Sequence, residues 1–280
     1  MSTTRRSNSM SKGFLWFAQN NNFTDYTKLS VQLARSIKKH NNENKTCVIV
    51  DQKSVFESEF VDHVVVMKQD SSDLHAQKFS NEHKAFSLTP FTHTIKLEAD
   101  MLFTSNTDWW WNYLCKHDMV FSVDCKNYHD ETIKNTPYRR LFEQNHLPNI
   151  YNGLTYFRKS QYAMDFFNLC KQISQNWEYV SKEILINCHD EYPSTDVVYA
   201  LASRIMDPLN LNLIDYPWFK FLHGKPAINK LSGDKEYENY LYPIKLEDRI
   251  YLGGKRLHRI WHYYDKRTTE VLDGRVFKSI

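Results

Sequence analysis

Short apolar runs alternate with amphipathic stretches along most of the chain. "GFLWFAQ" is an apolar run led by a glycine, the polar "NNNFTDY" follows, and Leu29, Leu33, Ala34 and Ile37 then recur at helical spacing. That order predicts strand, loop and helix. "KTCVIVD", which ends in Asp51, and the valine-rich "VDHVVVMK" predict two more buried strands. A helix is expected over Ala76–Ser87, with Pro90 closing the entry to a further strand, "THTIKL".

"NTDWWWNYL" predicts a helix with Asn106 or Thr107 as N-cap and Asp108 in its first turn. "MVFSVDC" is the next strand, and a polar connection with the basic pair Arg139 and Arg140 leads to "IYNGLTYFRKS", a strand interrupted by Asn152 and Gly153. A glycine inside a strand often marks the close approach of a ligand or another backbone. "QYAMDFFNLCKQISQNW" and "STDVVYALASRI" predict two helices, the second with Ser194 or Thr195 as cap and Asp196 in its first turn. From Leu211 onward the chain breaks into short segments rich in histidine and basic residues.

Short buried strands that alternate with amphipathic helices predict an α/β fold with a mostly parallel central sheet flanked by helices. A single domain is expected over residues 12–280, with a small β-rich extension over about 227–280. Residues 1–11 are expected to form a disordered tail.

With 36 basic and 33 acidic side chains and a formal charge of +3, the surface is too balanced to attract nucleic acid as a whole. Any such site has to be local. Five cysteines without C-x-x-C spacing indicate neither a disulfide framework nor a zinc knuckle, so a reduced, cytoplasmic setting is the simplest expectation. No run approaches 18 apolar residues, and the basic opening lacks an apolar stretch of the signal-peptide type. No membrane partner is expected.

The candidate chemistry starts from Glu98 and Asp100, which follow the strand "THTIKL" directly. Ligands of open α/β sheets bind beyond the carboxyl ends of the strands, and Asp51 ends an earlier strand in the same way. Oxygen ligands suit Mg2+ or Mn2+, and Mn2+ also accepts an imidazole. "HGKP" supplies His223 as that imidazole and Lys225 as a phosphate partner, with His262 as an alternative ligand. The plain alternatives are solvated acids and a core histidine beside Phe219 and Phe221. Trp109–Trp111 covers most of a helix circumference, so packing is expected there rather than base stacking. Asp196 either complements a helix dipole or takes a proton from an acceptor hydroxyl. "GGKRLHRIWHYYDKR" mixes basic and aromatic residues and suits a nucleic-acid backbone, although ordinary β-ribbons look similar.

Taken in order over Gly13–Pro226, "GFLWFA", the acid-x-acid of "KLEADM", "YNGLTYFRKS", "STDVVYALA" and "HGKP" resemble nucleotide-sugar-dependent glycosyltransferases of the GT-A fold. Members usually carry Asp-x-Asp; here the first acid is Glu98. "HGKP" is similar to, but shorter than, the corresponding segment of glycogenin-like enzymes. The resemblance implies a Mn2+ or Mg2+ ion held by Glu98, Asp100 and His223, with a UDP-sugar as donor. It implies that Ala18, Asn20, Tyr26, Asp51, Lys84, Gly153 and Lys225 surround the nucleotide sugar, and that Asn152 and Asp196 act at the reacting centre. "IYNGLTYFRKS" and "RIWHYYDKR" are most similar to glycosyltransferases of large DNA bacteriophages. This implies a hydroxymethylated pyrimidine, 5-hydroxymethylcytosine, in double-stranded DNA as acceptor, gripped by Arg139, Arg140, Lys255, Arg256, Arg259 and Lys266 in the host cytoplasm. The alternatives are a protein or glycan glycosyltransferase of the same fold, a metal-dependent phosphohydrolase or nuclease, and a non-catalytic nucleic-acid-binding protein.

Overall fold

The computed structural model describes residues 11–68, 70, 75–134, 136–232, 236, 239–247, 249–268 and 272. The expected tail falls outside this set except for Ser11, whose carbonyl accepts hydrogen bonds from Thr92 and His93. The strands in chain order are β1 (Lys12–Ala18), β2 (Lys45–Val50), β3 (His63–Val66), β4 (His93–Glu98), β5 (Met101–Leu102), β6 (Met119–Val123) and β7 (Cys125–Lys126). They continue with β8 (Thr132–Ile133), β9 (Ile150–Arg158), β10 (Leu222–His223), β11 (Ile244–Leu246), β12 (Arg249–Leu252), β13 (Lys255–Arg256) and β14 (Trp261–His262). The longer helices are α1 (Tyr26–His40), α2 (Gln161–Gln175) and α3 (Thr195–Met206).

The central sheet has the order β3-β2-β1-β4-β9-β6. Its first four strands are parallel, as the alternation of strands and helices predicts. β9 runs against both β4 and β6. This reversal carries the start of β9, rather than its end, to the carboxyl end of β4. A register break between Phe121 and Ser122 on β6 leaves Asn152, Gly153 and Leu154 bulged out of the ladder with β6, while Leu154 still pairs with Leu97 of β4. Bulges re-aim side chains and free backbone groups next to functional sites.

Period-two alternation sorts the strand residues onto two cores. Phe14, Trp16, Ile95 and Leu97 pack with Leu33, Ala34 and Ile37 of α1. Leu15, Ile49 and Phe157 pack with Phe166 and Phe167 of α2 and Tyr199 of α3. Asp25 caps α1 by accepting from the Lys28 amide at 3.0 Å, and Ser160 caps α2 through the Ala163 amide at 3.3 Å. The helix expected over Ala76–Ser87 is instead a 3-10 stretch, His75–Lys84, followed by one α-turn. Trp110 and Trp111 are buried, while Trp109 stays 43 % exposed and leans on Trp218. Packing accounts for most of the tryptophan run.

A second sheet has the order β5-β14-β10-β7-β8, and β11, β12 and β13 form a separate antiparallel ribbon. Gly253 and Gly254 both take positive φ in the tight turn between β12 and β13, a conformation that favours glycine. Leu252, Leu257 and Trp261 tie this region to Leu29 of α1 and Leu102 of β5. The β-rich C-terminal part is therefore present, but it is not peripheral: β14 lies between β5 and β10. Among the described residues no helix is long and apolar enough to cross a membrane.

Candidate active site

β4 directs Ile95 and Leu97 into the core under α1, so Lys96 and Glu98 face the other way. The chain then turns through Asp100 into β5. β14 pairs with β5 and sets His262 opposite Met101. The imidazole thereby reaches both acids: His262 Nε2 lies 3.2 Å from Glu98 Oε2 and 3.2 Å from Asp100 Oδ2. One ligand atom from each of the three residues falls within 4.8 Å of the others. Lys266, from the turn after β14, also contacts Asp100 Oδ2.

Burial alone would raise the Asp100 carboxyl, but His262 and Lys266 hold it well below the usual range. Burial pushes Glu98 up to about 7, His262 opposing and the Asp100 charge adding to the rise. Burial would lower His262, yet the charges of Asp100 and Glu98 outweigh it and raise the imidazole. Two carboxylate oxygens and an imidazole at this spacing fit Mn2+, and Mg2+ through the oxygens. A Cβ on Gly153 would stand 2.8 Å from Glu98 Oε2, so the bare backbone there makes room for the acid. The close approach expected at Gly153 is to Glu98.

His262, and not His223, joins the acids. The two histidines are register partners on β10 and β14, with rings stacked 4.6 Å apart. Within the second sheet β14, and not β10, pairs with β5, so His223 stands one strand further from Asp100. His223 Nδ1 accepts from the Lys225 amide at 3.3 Å. Burial, followed by the charges of His262 and Lys225, pushes its pKa well down and leaves it neutral.

Beside the cluster opens a cleft of about 550 Å³, lined by Glu98, Asn152, Asp190, Glu191, Asp196 and His262 among others. The bulge in β9 explains how its wall is held. Asp196 Oδ1 accepts from the Asn152 amide at 2.8 Å and from Asn152 Nδ2 at 2.9 Å, and its other oxygen pairs with Arg139. Oδ1 therefore accepts twice and Oδ2 once, which leaves a lone pair on Oδ2 for a proton. Lys96, fully buried, donates to Asn152 Oδ1 at 2.9 Å and to the Asn152 carbonyl at 3.3 Å, and it pairs with Glu82. Lys96 and Glu82 were not among the sequence candidates. A lysine between Ile95 and Leu97 in a strand expected to be buried was the available signal, because such a charge needs a buried partner.

Several expected donor contacts cluster at the carboxyl ends of β1 and β2. Ala18 ends β1 and is buried. Asn20 bonds Ser54 and the Thr27 amide, while Asp51 accepts from the Lys53 and Ser54 amides and so closes the turn after β2. Lys84 donates to Asn81 at 2.7 Å, and Asn81 reaches Gln19. Tyr26 lies close enough to the acids that burial, then the Asp100 charge, raises its phenol. Lys225 stands 4.2 Å over the Tyr138 ring, and the Tyr138 hydroxyl donates to that of Tyr151 on the cleft wall.

The expected DNA-contacting set is divided by the structure. Arg139 is 2 % exposed, with Phe142 3.6 Å and Tyr151 4.1 Å from its guanidinium, so it supports the cleft and cannot reach a phosphate backbone. Lys266 belongs to the acidic cluster. Arg259 pairs with Asp130, and Lys255 contacts His129 Nδ1 at 2.9 Å. Arg140, Lys255 and Arg256 are exposed. A second concavity, about 230 Å³, lies between α1 and the ribbon, with Arg35, Lys39, His40, Lys245, Arg249 and Arg256 on its rim and no acid among its described lining residues. Its floor includes Leu102, Phe103 and Leu257.

No protein-family model matches the chain, and no curated protein is significantly similar to it.

Proposed function

We propose that this chain is a metal-dependent glycosyltransferase that moves a sugar from a nucleotide sugar, a UDP-sugar, to a hydroxyl acceptor. The observation that carries this reading is the convergence of Glu98, Asp100 and His262 at the carboxyl end of the central sheet, with Glu98 and His262 on the wall of a cleft large enough for a sugar. Bound Mn2+ or Mg2+ would supply positive charge against the negative charge that develops on the departing diphosphate. Glu98, Asp100 and His262 would hold it. The bulged Asn152 and Gly153 form the sugar-side wall, fixed from below by Lys96 and from the side by Asp196. The polar cluster of Asn20, Asp51 and Lys84 would serve the nucleoside, and Lys225 a phosphate.

We further propose 5-hydroxymethylcytosine in duplex DNA as acceptor, supported by the basic concavity along α1. Asp190 and Glu191 line the cleft and repel phosphates, so the backbone would be held on the basic rim while the neutral hydroxymethyl group of an extruded base enters.

The test is transfer of radiolabelled sugar from UDP-sugars, with and without Mn2+, to DNA containing 5-hydroxymethylcytosine, to unmodified DNA, to protein and to glycan. Label is expected in the modified DNA only, and Asp100→Ala is expected to abolish it. Label in protein or glycan alone ends the DNA assignment. Failure of every donor to react with any acceptor or with water ends the glycosyltransferase assignment.

A further inference from the structure

Asp100 is one of the three residues that would hold a metal, and two cationic groups meet on its Oδ2: His262 Nε2 and Lys266 Nζ. A divalent ion binds carboxylate oxygen at about 2.0–2.2 Å, which would bring it close to the lysine ammonium. The two cations repel at that range, so an ion on that oxygen weakens the lysine contact. His262 can remain, because a neutral imidazole is itself a ligand; the repulsion favours release of Lys266.

The surroundings allow it to leave without unfolding the loop. Lys266 lies four residues after His262, in a turn fixed by Asp265, which accepts from the Arg267 amide at 2.9 Å and whose carbonyl accepts from the Thr268 amide at 3.1 Å. Thr268 is fully buried. The backbone is thus anchored on the C-terminal side of Lys266, while its side chain remains 34 % exposed. Lysine is suited to such a move, being a compact charge on a flexible stem and a good point-charge partner for phosphate.

We propose that Lys266 is a tethered cation that holds Asp100 in the metal-free protein, is displaced by the divalent ion, and then binds the diphosphate of the nucleotide sugar. This rests on the metal-dependent reading of the site. In the metal-free state the ammonium keeps two neighbouring carboxylates together that would otherwise repel. The same contact weakens metal binding until a diphosphate is present to receive the lysine, so metal and donor bind cooperatively, each tightening the other by the same factor.

The test is Mn2+ binding to the full chain, followed by the electron paramagnetic resonance signal of free Mn2+, without and with UDP. Lys266→Met, which keeps the stem and removes the charge, is expected to bind Mn2+ about tenfold more tightly than the native protein when UDP is absent, within the usual range for coupled sites. Its UDP affinity at saturating Mn2+ is expected to fall, and the tightening of Mn2+ by UDP to shrink. Lys266→Arg, which keeps the charge, is expected to stay near native. Unchanged or weaker Mn2+ binding by Lys266→Met, or equal tightening in both variants, overturns the assignment of Lys266 alone. Absence of Mn2+ binding in all three chains overturns the metal reading beneath it. A second measurement needs no variant: the rate of amidination of Lys266 in the native protein, read by peptide mass spectrometry, is expected to rise with Mn2+ and fall again when UDP is added. A rate indifferent to Mn2+ overturns the proposal.

Discussion

Replacing Lys96 by methionine tests the support beneath the candidate site. Lys96 is fully buried, pairs with Glu82 and makes two hydrogen bonds to Asn152. Methionine keeps most of the volume but leaves Glu82 without its cation. Removing one partner of a buried pair costs about 3–5 kcal/mol when the other stays charged. Glu82 has an escape: burial already raises its carboxyl above 4.5, the Lys96 charge opposing that rise, and without the lysine it can take up a proton. The cost of that proton at pH 7 is at most about 3.4 kcal/mol, from 2.5 pH units above 4.5 at 1.36 kcal/mol each; at pH 5 it is about 0.7 kcal/mol. The sign is that of an acid whose folded pKa lies above its unfolded one: the loss is absent below pH 4.5 and grows as the pH rises. The lost bonds to Asn152 add about 1–2 kcal/mol at every pH. Urea denaturation of native protein, Lys96→Met, Glu82→Gln and the double variant at pH 5, 6 and 7 measures this directly. Lys96→Met should be destabilised by about 3–5 kcal/mol at pH 7 and by about 1–3 kcal/mol at pH 5, with Glu82→Gln removing most of the pH dependence. Equal destabilisation at pH 5 and pH 7, or a double variant with the same pH dependence as Lys96→Met, refutes the pairing.

Gly153→Ala would place a Cβ 2.8 Å from Glu98 Oε2 and 2.9 Å from Met101 Cε. It should lower stability by about 1–3 kcal/mol and weaken Mn2+ binding by displacing the acid; native Mn2+ affinity in calorimetry would contradict the close approach. Asp62 accepts from Lys38 at 2.6 Å, Lys45 at 2.9 Å and the Thr46 amide at 2.9 Å, and these contacts outweigh burial and pull its carboxyl well below 3.8. The stability it contributes is therefore complete above about pH 4 and lost on further acidification, so the difference between native protein and Asp62→Asn in urea melts, about 1–2 kcal/mol at pH 7, should narrow between pH 4 and pH 2. A constant gap would count against the ion pairs. Arg249→Ala combined with Arg256→Ala should weaken binding of a labelled DNA duplex in fluorescence anisotropy and reduce the salt slope of log K by about 0.9 for each phosphate contact removed; an unchanged slope would take DNA away from the α1 concavity.

Local periodicity was enough to place most of the elements. The short apolar runs in "GFLWFAQ", "KTCVIVD" and "THTIKL" and the helical spacing in α1, α2 and α3 are patterns that neighbouring residues decide among themselves. The same local logic put Glu98 and Asp100 at a strand exit and marked Gly153 as a point of close approach. Strand partners are not decided locally. Nothing in "IYNGLTYFRKS" tells that β9 runs against β4, and so brings Asn152 rather than Arg158 to the site. His223 and His262 both sit in short segments with aromatic neighbours; which one reaches the acids depends on β14, not β10, pairing with β5. Arg139 and Lys266 read as surface cations in basic segments, yet each meets a carboxylate, Arg139 the half-buried Asp196 and Lys266 the buried Asp100 across 166 residues of chain. A charge pattern along a chain records how many cations there are, whereas their function follows from the field at the place where each one is folded, and only the tertiary structure sets that field.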